Sequence, residues 1–579
     1  MPVNGPPLRI TLLGIASQYI HSSLAPWCLK AGLTAHAAAP HEAHVVEGTV
    51  NEPKEGLLDR VISTAPDLLG ISCYIWNIMT VAGLLPRIRA ALPECAVVLG
   101  GPEVSFCAEE TLGAFPEADY VISGEGEMAL SRLADALCRL GSLGEVPGLY
   151  FLEGGLLRAN PPMEQKGEWS SPVGPEYLQA LNGRIAYIET SRGCPFSCAF
   201  CLSGRGDRPR ACSLERACDE ILALAHSGTR TVKFVDRTFN ADKGRAKAIL
   251  RFIAGESGKG IPGEICFHFE IAGDLLDDET LDIISAAPPG LFRFEIGLQS
   301  MNETTLRRVR RRTDMKRLTD MTGRLIACGR ARVHLDLIAG LPGETLQMFL
   351  RGFDEAFLLR PHELQLGFLK LLHGSAMRDE PETYPCAFDP LPPYEVRSTP
   401  FMSAEDLSDL HLMERALDKT HNSGRFTGTL RYLTGEVDFR PCELFLLLGR
   451  AIREKEEGGR PLSLDALTNL VYACLAERLP GDAVLLRDLM LLDRLASTPT
   501  SVLPAALKQR ETGLREVKRT LSLLFPRKAG VSRAIGLLSS QDGVRVAFCD
   551  YLLKDPVTGL YPVQVVRMPP QSGGQYAPD

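Results

Sequence analysis

The run Ser191-Arg-Gly-Cys-Pro-Phe-Ser-Cys-Ala-Phe-Cys201 decides how this chain is read. It sets Cys194, Cys198 and Cys201 apart by three and then two residues. Three thiolates so close in sequence can hold three corners of a 4Fe–4S cube. The fourth iron is then left without a protein ligand, open to a cofactor that receives an electron from it. Zinc is the other reading of clustered cysteines, but zinc usually wants a fourth Cys or His at similarly short spacing. The next cysteines, Cys212 and Cys218, stand 11 and 17 residues further on.

Around this run, residues 185–370 alternate between strand and helix patterns. Strands are expected at Ile185–Thr190, Thr231–Val235, Ile265–Ile271, Phe292–Leu298, Val333–Ile338 and Leu364–Leu369. Six βα units make a partial (β/α)6 barrel, a relative of the closed form whose chemistry sits at the carboxyl ends of its strands. The cysteines follow the first strand, where such a barrel needs them. With that spacing, and Phe200 before the last cysteine, the chain resembles the radical S-adenosylmethionine (SAM) enzymes. The resemblance implies that SAM chelates the open iron and is split to a 5′-deoxyadenosyl radical. It makes Cys194, Cys198 and Cys201 both the metal ligands and the residues that carry catalysis.

The strands also carry acids. Asp236 ends the second, Glu270 lies in the third, Glu295 with Gln299 and Ser300 lies at the fourth, and Asp336 is in the fifth. Carboxylates inside apolar strands are costly to bury without a partner. One acid on each of four neighbouring strands points to a ligand; for any single acid, an ion pair with a nearby Arg or Lys is the alternative. The family resemblance implies SAM contacts at Asp236, Glu270, Glu295, Gln299, Ser300 and Asp336, with Phe200 against the adenine. It also places the loop Gly340-Leu-Pro-Gly-Glu344 beside SAM. Alternation puts His268 on the same face as Glu270, as a core histidine or a cavity wall.

Residues 1–140 alternate again, with apolar runs at Leu8–Ala16, Val45–Val50, Leu68–Ile75, Ala96–Gly101 and Tyr120–Ser123. This predicts an α/β domain with a doubly wound, flavodoxin- or Rossmann-like parallel sheet. Ligands of such sheets bind outside the carboxyl ends of the strands. Those ends carry Gln18-Tyr-Ile-His-Ser-Ser-Leu24, Ser72-Cys-Tyr-Ile-Trp76, Gly100-Gly-Pro-Glu-Val-Ser105 and Gly124-Glu-Gly-Glu127. Small and glycine-rich ends allow a ligand close to the backbone. The set resembles the cobalamin-binding domain that precedes many radical SAM cores; a flavodoxin-like fold with another ligand, or none, is the alternative. The resemblance implies cobalamin contacts at Ser22, Ser23, Leu24, Ser72, Tyr74, Gly100, Gly101, Glu103, Ser105, Gly124, Glu125, Gly126 and Glu127. Glu103 stands where the family often has His, and the Asp-x-His-x-x-Gly run of methylcobalamin enzymes is missing. His21 is then the one nearby axial candidate in the first loop.

Residues 141–184 have no clear period and read as a linker; the barrel is placed at 185–385. Residues 390–579 read as a mostly helical domain of unknown role. Ser403-Ala-Glu-Asp406 opens a helix as a capping box, and a strand pair is expected around Asp555-Pro-Val-Thr-Gly559. The stretch Asn422-Ser-Gly-Arg-Phe-Thr427 fits an uncharacterised tail domain found on some cobalamin-type radical SAM proteins. From its place after the barrel, the tail is expected to close the cavity or select the substrate. The charge run Arg307–Arg312 reads as a solvated helix face. A net charge of −8 argues against a general nucleic-acid binder. No run of 18 apolar residues predicts a membrane span. Sixteen scattered cysteines without an export signal point to a reducing cytoplasm.

Together these readings imply a cobalamin-dependent radical SAM enzyme that methylates an unactivated carbon. Ring contraction, oxidation or cyclisation without methylation is the runner-up. A cobalamin sensor with a structural cluster is the reading from a different class. The implied cofactors are a 4Fe–4S cluster, SAM and cobalamin. The implied partners are a small-molecule or peptide substrate and an electron donor such as flavodoxin or ferredoxin.

Overall fold

Apolar runs long enough to be buried on both faces build the first sheet, as parallel strands between helices require. In the computed structural model, which describes residues 6–164, 166–205, 209–456, 459–508, 514–540 and 544–568, these strands are β1 (Leu8–Ala16), β2 (His41–Thr49), β3 (Leu68–Ser72), β4 (Ala96–Gly100) and β5 (Tyr120–Ile122). They run parallel in the order β2-β1-β3-β4-β5. Helices Leu24–His36 and Gly126–Leu137 pack on one face, through Leu33, Leu130 and Leu133. Helices Lys54–Ser63 and Ile78–Ala91 cover the other, through Leu57, Val81 and Leu84. The strand order reverses between β1 and β3, the switch point where such sheets bind ligands.

The stretch 141–184 holds more order than its sequence suggests. β6 (Leu149–Glu153) and β7 (Leu156–Ala159) add to the sheet antiparallel, beside β5. The hairpin turns at Gly154-Gly155, both at positive φ, and four residues per strand are too few to show a period.

The second sheet starts with β8 (Ala186–Ile188). The cysteine loop follows, its base held by β9 (Ser191–Arg192) pairing antiparallel with β10 (Arg210–Ala211). Then come β11 (Thr231–Phe234), β12 (Cys266–Ile271), β13 (Phe292–Gln299), β14 (Arg332–Ala339) and β15 (Glu363–Phe368). The six strands run parallel in sequence order from β8 to β15, an open barrel. Burial alternates along them. In β14, Val333, Leu335, Leu337 and Ala339 are buried, while His334 and Asp336 between them are only half-buried. The alternation sends apolar residues outward to the helices and polar ones to the concave face.

Beyond the barrel lie β16 (Ala387–Phe388) and β17 (Val396–Ser398), and then helices. Ser403 and Asp406 form the expected capping box. Helices Ala404–Leu417, Pro441–Glu456, Leu464–Arg478 and Ala483–Ser497 precede the antiparallel sheet of β18 (Arg533–Leu538), β19 (Arg545–Asp550) and β20 (Gln564–Arg567). This part docks on the outside of the barrel. Asp354 accepts hydrogen bonds from Arg440 and from the Cys442 amide at 2.7 Å. Asn422 accepts from the Leu364 amide and donates to the Leu364 carbonyl, both at 2.9 Å. It thereby pairs backbone groups of β15, the edge strand. Among the described residues, no helix is long and apolar enough to cross a membrane.

Candidate active site

Two cavities flank the cysteine loop. The first, of about 690 Å³, lies outside the carboxyl ends of β1, β3, β4 and β5 and reaches up to Ser191, Arg192 and Gly193. Its floor is small by necessity. Gly101 sits at φ +109°, and a Cβ there would meet the Cys73 carbonyl oxygen at 2.5 Å. Gly124, at φ +90°, has open space where a side chain would stand. Tyr74 stacks on Trp76, ring centroids 4.3 Å apart, and the Trp76 indole donates to the Ile15 carbonyl at 3.1 Å. Ser22 and His21 close one side against the barrel. Ser22 donates to the Ile185 carbonyl at 2.9 Å, and His21 Nδ1 lies 2.7 Å from the Tyr187 hydroxyl. Burial, with help from Lys233 and Arg184, pushes the His21 imidazole below its ordinary pKa.

The second cavity, of about 170 Å³, is polar and sits on the concave face of the barrel. Glu270, Glu295, Gln299 and Asp336 line it, together with Arg237 and Arg311. Register explains why the acids meet. Glu270 pairs with Glu295, Glu295 with His334, and His334 with Glu363, so one row of ionisable groups crosses four strands. Two registered glutamates repel unless their surroundings differ. Burial raises Glu270 to about 7. Burial acts on Glu295 too, but His268 at 3.1 Å and Lys233 at 3.1 Å overcome it and bring Glu295 to about 2. A bulge between Gly297 and Gln299 puts Gln299 at φ +68°, a costly angle for a residue with a Cβ. The bulge re-aims the end of the strand at the cavity.

The cysteine loop hangs between the two cavities. Cys198 is buried, while Cys194 and Cys201 are partly exposed. The Ala199 amide donates to the Val309 carbonyl at 2.9 Å, and its own carbonyl accepts from the Met377 amide at 3.0 Å. The Ser203 amide reaches Cys201 Sγ at 3.4 Å, a donor of the kind that stabilises thiolate sulfur. Among the described residues, no three His, Cys, Asp or Glu side chains converge on a single ion position. That disfavours mononuclear zinc and suits a cube whose irons sit apart.

Three ties bind the first sheet to the barrel. Arg192 reaches Glu125 at 2.5 Å, Glu127 at 2.6 Å and Glu189 at 2.8 Å, with its guanidinium 4.6 Å over the Trp169 ring. Burial alone would lower the Arg192 pKa; the carboxylates around it raise it instead. Arg210 holds Glu125 from the other side at 2.5 Å. Arg184 pairs with Glu47 at 2.9 Å, and Glu47 accepts from the Ser23 amide at 2.7 Å. Tyr394 donates to Glu103, whose pKa burial raises.

Most of the residues singled out in the sequence line these cavities, but several stand elsewhere. Asp236 is 1% exposed and faces away from the polar cavity. It accepts from the Thr190 amide at 2.7 Å, the Thr190 hydroxyl at 2.6 Å and the Ser191 hydroxyl at 2.7 Å, fixing the root of the cysteine loop. Ser300 gives its hydroxyl to buried Glu344, which burial raises to about 7. Phe200 packs against the barrel core, and Phe196 takes the wall of the polar cavity. Glu103 turns to Tyr394, and Ser105 accepts from the Gly124 amide at 3.3 Å, tying two loops together. Glu125 and Glu127 line the large cavity with their carboxylates engaged by arginines. His268 and His334 pair with acids: His268 lies against Glu295, and His334 Nε2 is 3.0 Å from Asp336.

The run Arg307–Arg312 is not one solvated face. Arg311 turns inward and donates to the Gly297 carbonyl at 2.5 Å, and Arg311 and Arg312 both line the polar cavity. The helix ends at Arg308, so the later arginines fan out from a turn. The tail does not close either cavity, since no residue beyond Asp336 lines them. Sequence reading passed over Arg192, Lys233 and Arg237. Arg192 lay inside the quoted cysteine run, and Arg237 next to Asp236, so position alone could have flagged both.

Three family models match the chain. They are the B12 binding domain over residues 10–134, the radical SAM superfamily over 188–356, and a family of unknown function, DUF4080, over 382–537. Among curated proteins, an uncharacterized methyltransferase of Pyrococcus horikoshii is 31% identical over 220 residues, 36% of this chain and 47% of that one. The cobalamin-dependent radical SAM methyltransferase TokK of Streptomyces tokunonensis is 26% identical over 329 residues, 54% of this chain and 47% of its own. The chain thus spans about half the length of these relatives. Among solved structures, the cobalamin-dependent SAM radical enzyme OxsB superposes with a TM-score of 0.59 at 15% identity, over 90% of this chain and 82% of OxsB. The radical SAM methyltransferase TsrM of Kitasatospora setae superposes at 0.54 and 18% identity, over 65% and 76% of the two chains. At these identities the superpositions speak for the fold. The chain is a radical SAM protein with a B12-binding domain before the barrel and a DUF4080 domain behind it.

Proposed function

We propose that this chain is a cobalamin-dependent radical SAM methyltransferase acting on a small molecule at an unactivated carbon. One observation carries the reading: a large, mostly apolar cavity and a small acidic one meet at the cysteine loop, and Arg237 lines both. The residues present fit the three groups. Cys194, Cys198 and Cys201 offer three thiols and no fourth ligand. Glu270, Glu295 and Asp336 offer acceptors for the ammonium and hydroxyls of SAM. The glycine-floored cavity under Tyr74 and Trp76 has room and close backbone for a corrinoid. When bound, these groups supply a single electron, a carbon radical source and a carried methyl.

The chain's own residues do the rest. Asp236 fixes Thr190 and Ser191, and so the direction in which the cysteine loop leaves β8. Lys233 and His268 keep Glu295 ionised, ready to accept a hydrogen bond from a cationic ligand. Glu270 takes or releases a proton near neutrality. Arg192 ties the cysteine loop to Glu125 and Glu127 at the lip of the large cavity. The ground between the cavities, beside Arg237, is where a substrate carbon has access to both. The methyltransferase names of the relatives favour methylation over other radical outcomes.

The test is anaerobic reconstitution with iron, sulfide and hydroxocobalamin, followed by SAM and a reductant. S-adenosylhomocysteine appearing together with 5′-deoxyadenosine is the expected result. 5′-deoxyadenosine alone, with cobalamin bound, would move the chain to the non-methylating group. Neither product from a chain holding both cofactors would overturn the proposal.

A further inference from the structure

A cluster that must be reduced needs a route for electrons from outside, and the surface next to the cysteine loop is chemically unlike the rest of the protein. The chain carries a net charge of −8, yet residues 307–317 hold Arg307, Arg308, Arg310, Arg311, Arg312, Lys316 and Arg317 against Asp314 alone. These residues surround an open hollow of about 630 Å³ whose wall includes Ser197, the residue before Cys198. The hollow and the cysteine loop are in direct backbone contact, through the Ala199 amide and the Val309 carbonyl at 2.9 Å.

Several of the charges are already engaged. Arg310 reaches Glu380 at 2.5 Å, Arg317 donates to the Asp274 carbonyl at 2.8 Å, and Arg308 lies 5.5 Å over the Phe401 ring. Others are free of carboxylates. Arg307 meets only the Thr304 hydroxyl at 3.2 Å, and Arg312 and Lys316 form no ion pair among the described residues. All three are exposed. Of the acids at the rim, Asp314 caps the next helix, accepting from the Arg317 amide at 3.0 Å, and Glu303 is exposed.

We infer that this arginine- and lysine-rich hollow is the docking surface for an acidic one-electron carrier protein of the flavodoxin type. The inference rests on the proposed function, since it presumes a redox-active cluster held by Cys194, Cys198 and Cys201. Charge complementarity argues for the occupant. An acidic carrier is repelled by the protein as a whole, so a local positive patch both steers it and orients it. Position argues for the role, because the carrier's cofactor is brought to the side of the cysteine loop that faces solvent. The step balances simply: the reduced flavin loses one electron, the cluster gains it, and no bond forms or breaks.

The test compares the holoprotein with the double variant Arg307→Glu/Lys316→Glu, neither residue lining the polar cavity. Cluster bleaching is followed by stopped flow with a reduced bacterial flavodoxin, and separately with photoreduced 5-deazaflavin, a small reductant that needs no docking. Binding of oxidised flavodoxin is measured alongside. The expected result is a rate with flavodoxin lowered at least tenfold at low salt, a gap that closes as salt rises, weaker flavodoxin binding, and an unchanged rate with deazaflavin. The neutral variant Arg307→Gln/Lys316→Gln is expected to fall between. Equal flavodoxin rates in wild type and variant overturn the docking surface. A variant slowed equally with both reductants, or with weakened SAM binding, assigns the patch to the polar cavity and also overturns it. A wild-type chain that assembles no reducible cluster overturns the functional reading, and the docking surface with it.

Discussion

Glu270 and Glu295 face each other in register on β12 and β13, yet their surroundings drive them in opposite directions. Glu270, at about 7, holds a proton in the folded chain that the unfolded chain has already released above its ordinary value of 4.5. The stability this proton brings is complete below about pH 4.5 and is lost as pH rises through about 7. Glu270→Gln is therefore expected to stabilise the cofactor-free protein by about 2 kcal/mol at pH 8 and to flatten this pH dependence, as urea unfolding at pH 5 and pH 8 would show. The same variant is expected to weaken SAM binding to the loaded protein. Glu295, at about 2, behaves oppositely. Its contribution is present above its ordinary value of 4.5 and is lost as pH falls toward 2. Glu295→Gln leaves Lys233 without its nearer partner and is expected to cost about 3 kcal/mol at pH 7, read as a lower urea midpoint. The acids themselves were legible, because a carboxylate in an apolar strand stands out. Their opposite characters were not, because Lys233 and His268 come from other strands and only register brings them within 3.1 Å.

At the scale of elements, the cysteine loop is where the two sheets are joined. Arg192 serves Glu125, Glu127 and Glu189 at once, so its loss strands three carboxylates in a half-buried place. Arg192→Ala is expected to weaken cobalamin binding at least tenfold and to cost about 3–5 kcal/mol of stability, with Arg192→Lys restoring part of each. Equilibrium titration of hydroxocobalamin, followed in the visible spectrum, checks the first figure, and denaturant unfolding the second. The cysteine spacing, the six barrel strands and the parallel first sheet could all be read from pattern, because each repeats a period over many residues. β6 and β7 could not, being a short hairpin whose order comes from pairing with β5. Arg307–Arg312 misled for a related reason. Charge suggests solvent, but the turn after Arg308 sends Arg311 inward to the Gly297 carbonyl.

Across the whole molecule, the tail acts on the back of the barrel and not on its mouth. Asn422, from the stretch whose sequence carried no interpretable chemistry, completes the hydrogen bonding of Leu364 on the edge strand. Asn422→Ala is expected to cost about 1–3 kcal/mol, measured by thermal unfolding, and to leave SAM affinity unchanged. A change in SAM affinity would return the tail to the site. The front of the molecule makes the stronger claim, that one chain holds a cluster and a cobalamin side by side across Arg192. Electron paramagnetic resonance tests this most directly, on protein loaded with both and poised so that the cluster is reduced and the cobalamin is in its Co(II) state. The account predicts both signals in equal amounts per chain, each broadened by the other and sharpened when its neighbour is left out. Two unperturbed signals, or a chain that takes up one cofactor and refuses the other, would contradict it.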